Sequence, residues 1–135
     1  MQNRNEIETK RFTLEQSSYQ MLKAWMNAYA LDLNDLDTLP KLGLGVWYQG
    51  KCVGVAFIRE VEGYKGLIDG FICDPDLLGE DRSKCLDLLI LDLLKLARAH
   101  RMTGLIGLSV NKRVMSRALR LGFDVRPHKV VSITF

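Results

Sequence analysis

Residues 83–100, SKCLDLLILDLLKLARAH, form the longest periodic segment of the chain and restrict its fold more than any other stretch. At about 100° per residue the polar members Lys84, Asp87, Asp92, Lys95 and Arg98 fall within an arc of roughly 140°, leaving a broad leucine face. A helix of this kind must bury that face, and a β-sheet is the partner wide enough to cover it. The charges inside the apolar run exclude a transmembrane span. Leu88 and Leu91 fall inside the polar arc, where packing on a sheet gives them no use. They are expected to lie under the loop at 31–45 or to mark a contact with a second copy or a partner protein.

The rest of the chain supplies that sheet. Arg11–Glu15 reads as a short strand, and Ser17 or Ser18 can cap a helix whose apolar positions are Met21, Leu22, Trp25, Met26 and Tyr29. Gly45–Tyr48 and Lys51–Val61 read as strands joined by a Gln49-Gly50 hairpin turn. After the turn at 62–66, Leu67–Cys73 is a third strand, completing an antiparallel meander. Met102–Val110 reads as a strand, Asn111–Leu121 as a short basic helix stopped by Gly122, and Val125–Phe135 as a last strand. The fold class is therefore α/β (α+β), with a mixed central sheet: a meander followed by a parallel strand-helix-strand crossover.

Length and composition narrow the function classes. At 135 residues the chain is expected to form one domain, 1–135. Cys52, Cys73 and Cys85 form no C-x-x-C pair and, with only His100 and His128, argue against a disulfide framework or a zinc site. The aspartates of LDLNDLDTLPKLGLG at 31–45 fail the calcium-loop pattern, because Leu36 stands at a ligand position and no closing glutamate follows. The start, MQNRNEIETK, lacks an apolar signal segment, so a reducing, cytoplasmic location is expected. The net charge of +3 divides into −3 over residues 1–78 and +6 over residues 79–135, which is either a chance distribution over a solvated surface or the mark of a second half that handles an anionic ligand. Arg98, Arg101, Lys112, Arg113, Arg117, Arg120, Arg126 and Lys129 carry that excess. Without interleaved aromatics or a groove-entering motif, the tract does not read as a nucleic-acid surface.

Two stretches resemble the GCN5-related N-acetyltransferases, the GNAT fold. The family's last helix commonly reads Asn-x-x-Ala-x-x-x-Tyr-x-x-x-Gly-Phe, and Asn111, Val114, Ala118, Gly122 and Phe123 stand at those spacings. The junction Val-x-Pro-x-x-Arg-Gly-x-Gly-x-Gly/Ala is matched by Cys73, Pro75, Leu78, Gly79, Asp81 and Ser83, which keep the proline and the first glycine. The resemblance covers roughly residues 45–125.

It implies transfer of an acyl group from acetyl-CoA or another acyl-CoA to an amine. By that resemblance Ile72 and Cys73 would bond the pantetheine arm through their backbone. Gly79, Arg82, Ser83 and Lys84 would hold the diphosphate, and Asn111 would lie near the strand splay that admits the cofactor. Independently, a helix N-terminus with a glycine beside it is a ready anion site, although Glu80 and Asp81 weaken this one. Asp69 is the candidate catalytic carboxylate, with Glu60 and Glu62 weaker candidates. Ala118 stands where the family places a proton-donating tyrosine. The positive residues of the last helix, Arg113, Arg117 and Arg120, would meet the adenosine 3′-phosphate. The alternative is a catalytically inactive GNAT-shaped protein, an accessory, viral or assembly component that acts through protein contacts.

Overall fold

The computed structural model describes residues 6–29, 39–61, 63–108, 112–126, 131 and 133. The elements are β1 (Ile7–Arg11), α1 (Gln16–Ala28), β2 (Leu42–Tyr48), β3 (Lys51–Val61), β4 (Lys65–Cys73), α2 (Gly79–Ala99), β5 (Gly104–Ile106) and α3 (Lys112–Arg120). They form one sheet in the order β1-β2-β3-β4-β5, antiparallel throughout except for the parallel pair β4·β5 made by the α2 crossover. This is the mixed sheet expected from the sequence.

The period-2 alternation of β3 divides the core into two layers. Ala56 and Ile58 join Leu44 and Val46 beneath Cys85, Leu89, Leu93 and Ala97 of α2, and Val53 joins them because the register shifts there, Val46 pairing with Gly54 and Trp47 with Cys52. Val55 and Phe57 face the other way, onto Phe12, Leu22, Trp25 and Met26 of the α1 layer. Phe12 and Phe57 meet edge-on, their ring centroids 5.9 Å apart. Polar positions of α2 are engaged as well: Asp92 accepts a hydrogen bond from the Thr9 hydroxyl of β1.

Several boundaries differ from the sequence expectation. The first strand is Ile7–Arg11, because a polar half-buried strand pairing with Leu44–Tyr48 leaves little apolar signal. Helix α1 is capped at Glu15 with no side-chain cap bond, so neither Ser17 nor Ser18 serves that role. Helix α2 begins at Gly79 rather than Ser83; its first-turn acids Glu80 and Asp81 complement the helix dipole. The hairpin turn is confirmed, with Gln49 and Gly50 both at positive φ (53° and 78°). Among the described residues β5 is Gly104–Ile106, and of the expected strand Met102–Val110, residues 109–110 lie outside them. Residues 123–126 carry no regular structure, and most of the expected last strand, with Asn111, lies outside the described residues. Leu88 is half-buried and Leu91 is 41% exposed.

Candidate functional site

The β3·β4 ladder is interrupted at one point. Ala56 pairs with Phe71 and Ile58 with Ile68, so Phe57 alone stands opposite both Asp69 and Gly70. This is a β-bulge, and Gly70 takes a φ of +99° there. A Cβ at that position would fall 2.7 Å from Leu39 Cδ2 and 3.2 Å from a Phe57 ring carbon. The bulge accompanies an outward Asp69, whose Oδ2 accepts from Arg59 Nε at 2.7 Å. Both side chains remain about two-fifths exposed, at 41% and 44%.

Beside the bulge the sheet opens. Among the described residues, β4·β5 pairing ends at Leu67↔Ile106, whereas β4 continues along β3 as far as Cys73. The Asp74 N–H donates to the Val53 carbonyl at 2.8 Å, which fixes the phase of the β3·β4 ladder. Since antiparallel bonds alternate, Ile72 is bonded to Val55, and the backbone groups of Phe71 and Cys73 point away from β3. Among the described residues the backbone groups of Cys73 have no ladder partner on β3. Those of Ile72 face Val55, and those of Phe71 face away from β3 as those of Cys73 do.

The turn after β4 positions the next helix. Asp74 is buried; its Oδ1 accepts from the Asp76 N–H at 2.9 Å and its Oδ2 lies 3.3 Å from Lys51 Nζ. Its own carbonyl accepts from the Leu77 N–H at 3.1 Å. Gly79 then opens α2 at φ +65°, with nothing within 4 Å of where a Cβ would stand. From the first turn Arg82 reaches sideways: its Nη1 donates to the Tyr29 hydroxyl at 3.2 Å and to the Leu77 carbonyl at 3.5 Å. The Tyr29 hydroxyl lies 3.6 Å from Cys73 Sγ. Burial raises the Tyr29 pKa above the ordinary phenol value, against the opposing effect of Arg82. Asp81 faces the other flank, where burial first and then the Asp81 carboxylate push the Tyr48 phenol up. Ser83 is half-buried and Lys84 exposed.

Two of these groups were missed in the sequence. Asp74 before Pro75-Asp76 is an Asx-turn signal that could have been read locally. Tyr29 gave no local signal, since its partners lie 44 and 53 residues away.

The basic helix turns two of its arginines toward α2. Arg120 binds Asp87 of α2 in a bidentate pair at 2.8 and 2.9 Å, and Arg117 Nε stands 3.1 Å from the same carboxylate without hydrogen-bond alignment. The anion that these two arginines meet is thus within the chain, and it anchors a helix that has no fully buried residue of its own. Among the described residues no group of His, Cys, Asp and Glu could hold a metal ion, and no helix is long and apolar enough to cross a membrane.

No protein-family model matches the sequence, and no curated protein matches it. Solved structures do match. A Trypanosoma brucei acetyltransferase is 18% identical, with 96% of this chain and 100% of that one covered at a TM-score of 0.66. A ribosomal-protein-alanine N-acetyltransferase from Brucella melitensis biovar Abortus 2308 is 16% identical, covering 96% and 99% at 0.68. The structure of AAC(6')-Iy in complex with a bisubstrate analog, CoA-S-monomethyl-acetylneamine, is 13% identical, covering 97% and 99% at 0.62. With its single-residue bulge, its parted parallel strands and these overlays, the chain has the GNAT fold, that of the GCN5-related N-acetyltransferases.

Proposed function

We propose that the protein is an acyl-CoA-dependent N-acyltransferase. The observation that carries this reading is the parting of β4 from β5 beyond Leu67, beside the bulge at Asp69 and Gly70. Among the described residues it leaves polar groups of β4 with no partner in the ladder, which an extended amide-bearing chain such as pantetheine can satisfy. The residues present fit an acyl-CoA: outward backbone at Phe71 and Cys73, open space at Gly79, and Arg82, Ser83 and Lys84 on the first turns of α2. Asn111 remains a candidate from the sequence alone.

In the reaction an amine nitrogen attacks the thioester carbonyl, the C–N bond forms, the C–S bond breaks, and the amine gives up a proton. In this reading Asp69 receives that proton, directly or through water; its outward carboxylate beside the bulge, held by Arg59, supports the assignment. Ala118 cannot protonate the leaving thiolate. An alkyl thiol with a pKa of about 8.5 is a good enough leaving group for water to do so. The acceptor in this reading is an amine, and a ribosomal-protein-alanine N-acetyltransferase is among the matching structures. Three free thiols suit a reducing, cytoplasmic setting.

Calorimetry with acetyl-CoA and CoA tests the reading, followed by acyl transfer to a panel of amines detected by released thiol. Binding is expected at about 1 µM to 1 mM. Ser83→Asp, which places a carboxylate at the helix start, should abolish it. No heat at millimolar ligand overturns the proposal.

A further inference from the structure

Tyr29 ends α1, yet its phenol touches both the end of β4 and the first turn of α2. This inference rests on the acyl-CoA reading above. Arg82 spends Nη1 on two acceptors, the Tyr29 hydroxyl and the Leu77 carbonyl, so the guanidinium is held while the N–H groups of Nη2 and Nε make neither of these bonds. Because Tyr29 accepts from Arg82, its own proton is still to be placed. Its neighbour Cys73 Sγ, at 3.6 Å, is a weak partner in a contact where either atom can donate, and a phosphate oxygen is a stronger acceptor for the phenol proton. The backbone N–H of Cys73 points out of the ladder at the same place, and α2 opens at Gly79 with free space above it. Of the two first-turn acids, Asp81 lies toward Tyr48 on the hairpin flank, and both are exposed. The flank shared by Arg82 and Tyr29 is therefore the donor-rich side of this helix start.

We infer that Tyr29 is a positioning residue for the acyl donor: it holds Arg82 toward the diphosphate and adds its own hydroxyl proton, making the site selective for phosphate-bearing thioesters over bare pantetheine thioesters. The same contact ties the end of α1 to the donor site. Tyr29→Phe keeps the ring and removes only the hydroxyl, and Arg82→Gln removes the other half of the pair.

The test is calorimetry of the wild type, both variants and the double variant with CoA and with pantetheine. Each single substitution is expected to weaken CoA binding about tenfold and to leave pantetheine unaffected. The double variant should lose less than the product of the two, since either substitution dissolves the same pair. The inference is overturned if Tyr29→Phe binds CoA as the wild type does, or if it loses CoA and pantetheine alike. A wild-type chain that binds neither ligand overturns the acyl-CoA reading itself, a result distinct from failure of Tyr29 alone.

Discussion

Cys52 lies on β3 with its thiol toward the Gly54 carbonyl at 3.7 Å, and burial pushes its pKa up to about 11. In the unfolded chain the same thiol titrates near 8.5. Between these values the unfolded chain releases a proton that the folded chain keeps, so the contribution of Cys52 is full below pH ~8.5 and is lost as pH rises through about 11. Cys52→Ala should therefore show a shallower alkaline loss of stability than the wild type in urea titrations, and parallel losses would refute this. Asp69 is a different case, because its pair with Arg59 is exposed and contributes at most about 1 kcal/mol to stability. Asp69→Asn should leave the melting temperature within a few degrees while lowering the turnover number about 100-fold. If only the KM for acyl-CoA changed, Asp69 would not be the proton acceptor.

Two helices end in the same way on different residues. The Met102 N–H bonds Ala97 O and the Arg101 N–H bonds Arg98 O; in α3, Phe123 bonds Ala118 O and Gly122 bonds Leu119 O. Both are Schellman ends, but α3 places a glycine at the left-handed position (φ +99°) and α2 places Arg101 there (φ +61°). Arg101→Gly should raise the unfolding free energy by about 1 kcal/mol and Gly122→Ala lower it by a similar amount, as read from urea midpoints. The glycine end was legible in the sequence because residue type and position agreed. The arginine end was not, since only the backbone bonds reveal it. Strand ends were harder still: β1 and β5 are stabilised by their neighbours rather than by an apolar pattern of their own. Helix α3 depends on Asp87, so Asp87→Asn should speed amide exchange in α3 about tenfold while leaving Leu89 and Leu93 of α2 protected. Unchanged exchange in α3 would show that the arginine clamp does not hold it.

At the scale of the molecule, the meander, the long helix and the crossover were legible because each follows from local periodicity and a turn. The site was only partly so. Gly70 inside a strand could have signalled the bulge, but the parting of β4 from β5 and the meeting of Tyr29 with Arg82 are products of assembly. That assembly puts one sheet between two layers, with α2 on one face and α1 on the other. Both tryptophans belong to the α1 layer: Trp25 is buried in it and Trp47 packs against it. Their fluorescence thus reports that layer, whereas far-UV circular dichroism takes its largest single helical contribution from the 21-residue α2 on the opposite face. Leu89 is fully buried beneath α2, and Leu89→Ala should cost about 2–5 kcal/mol. If residues 1–135 fold as one cooperative domain, the shared sheet transmits that loss, and the fluorescence and dichroism midpoints shift together in urea. A dichroism transition that moves while the tryptophan transition stays in place would mean that the α1 layer unfolds independently. Tyr29 would then ride on a separately melting element, and its contact with Arg82 could not hold the donor site in register.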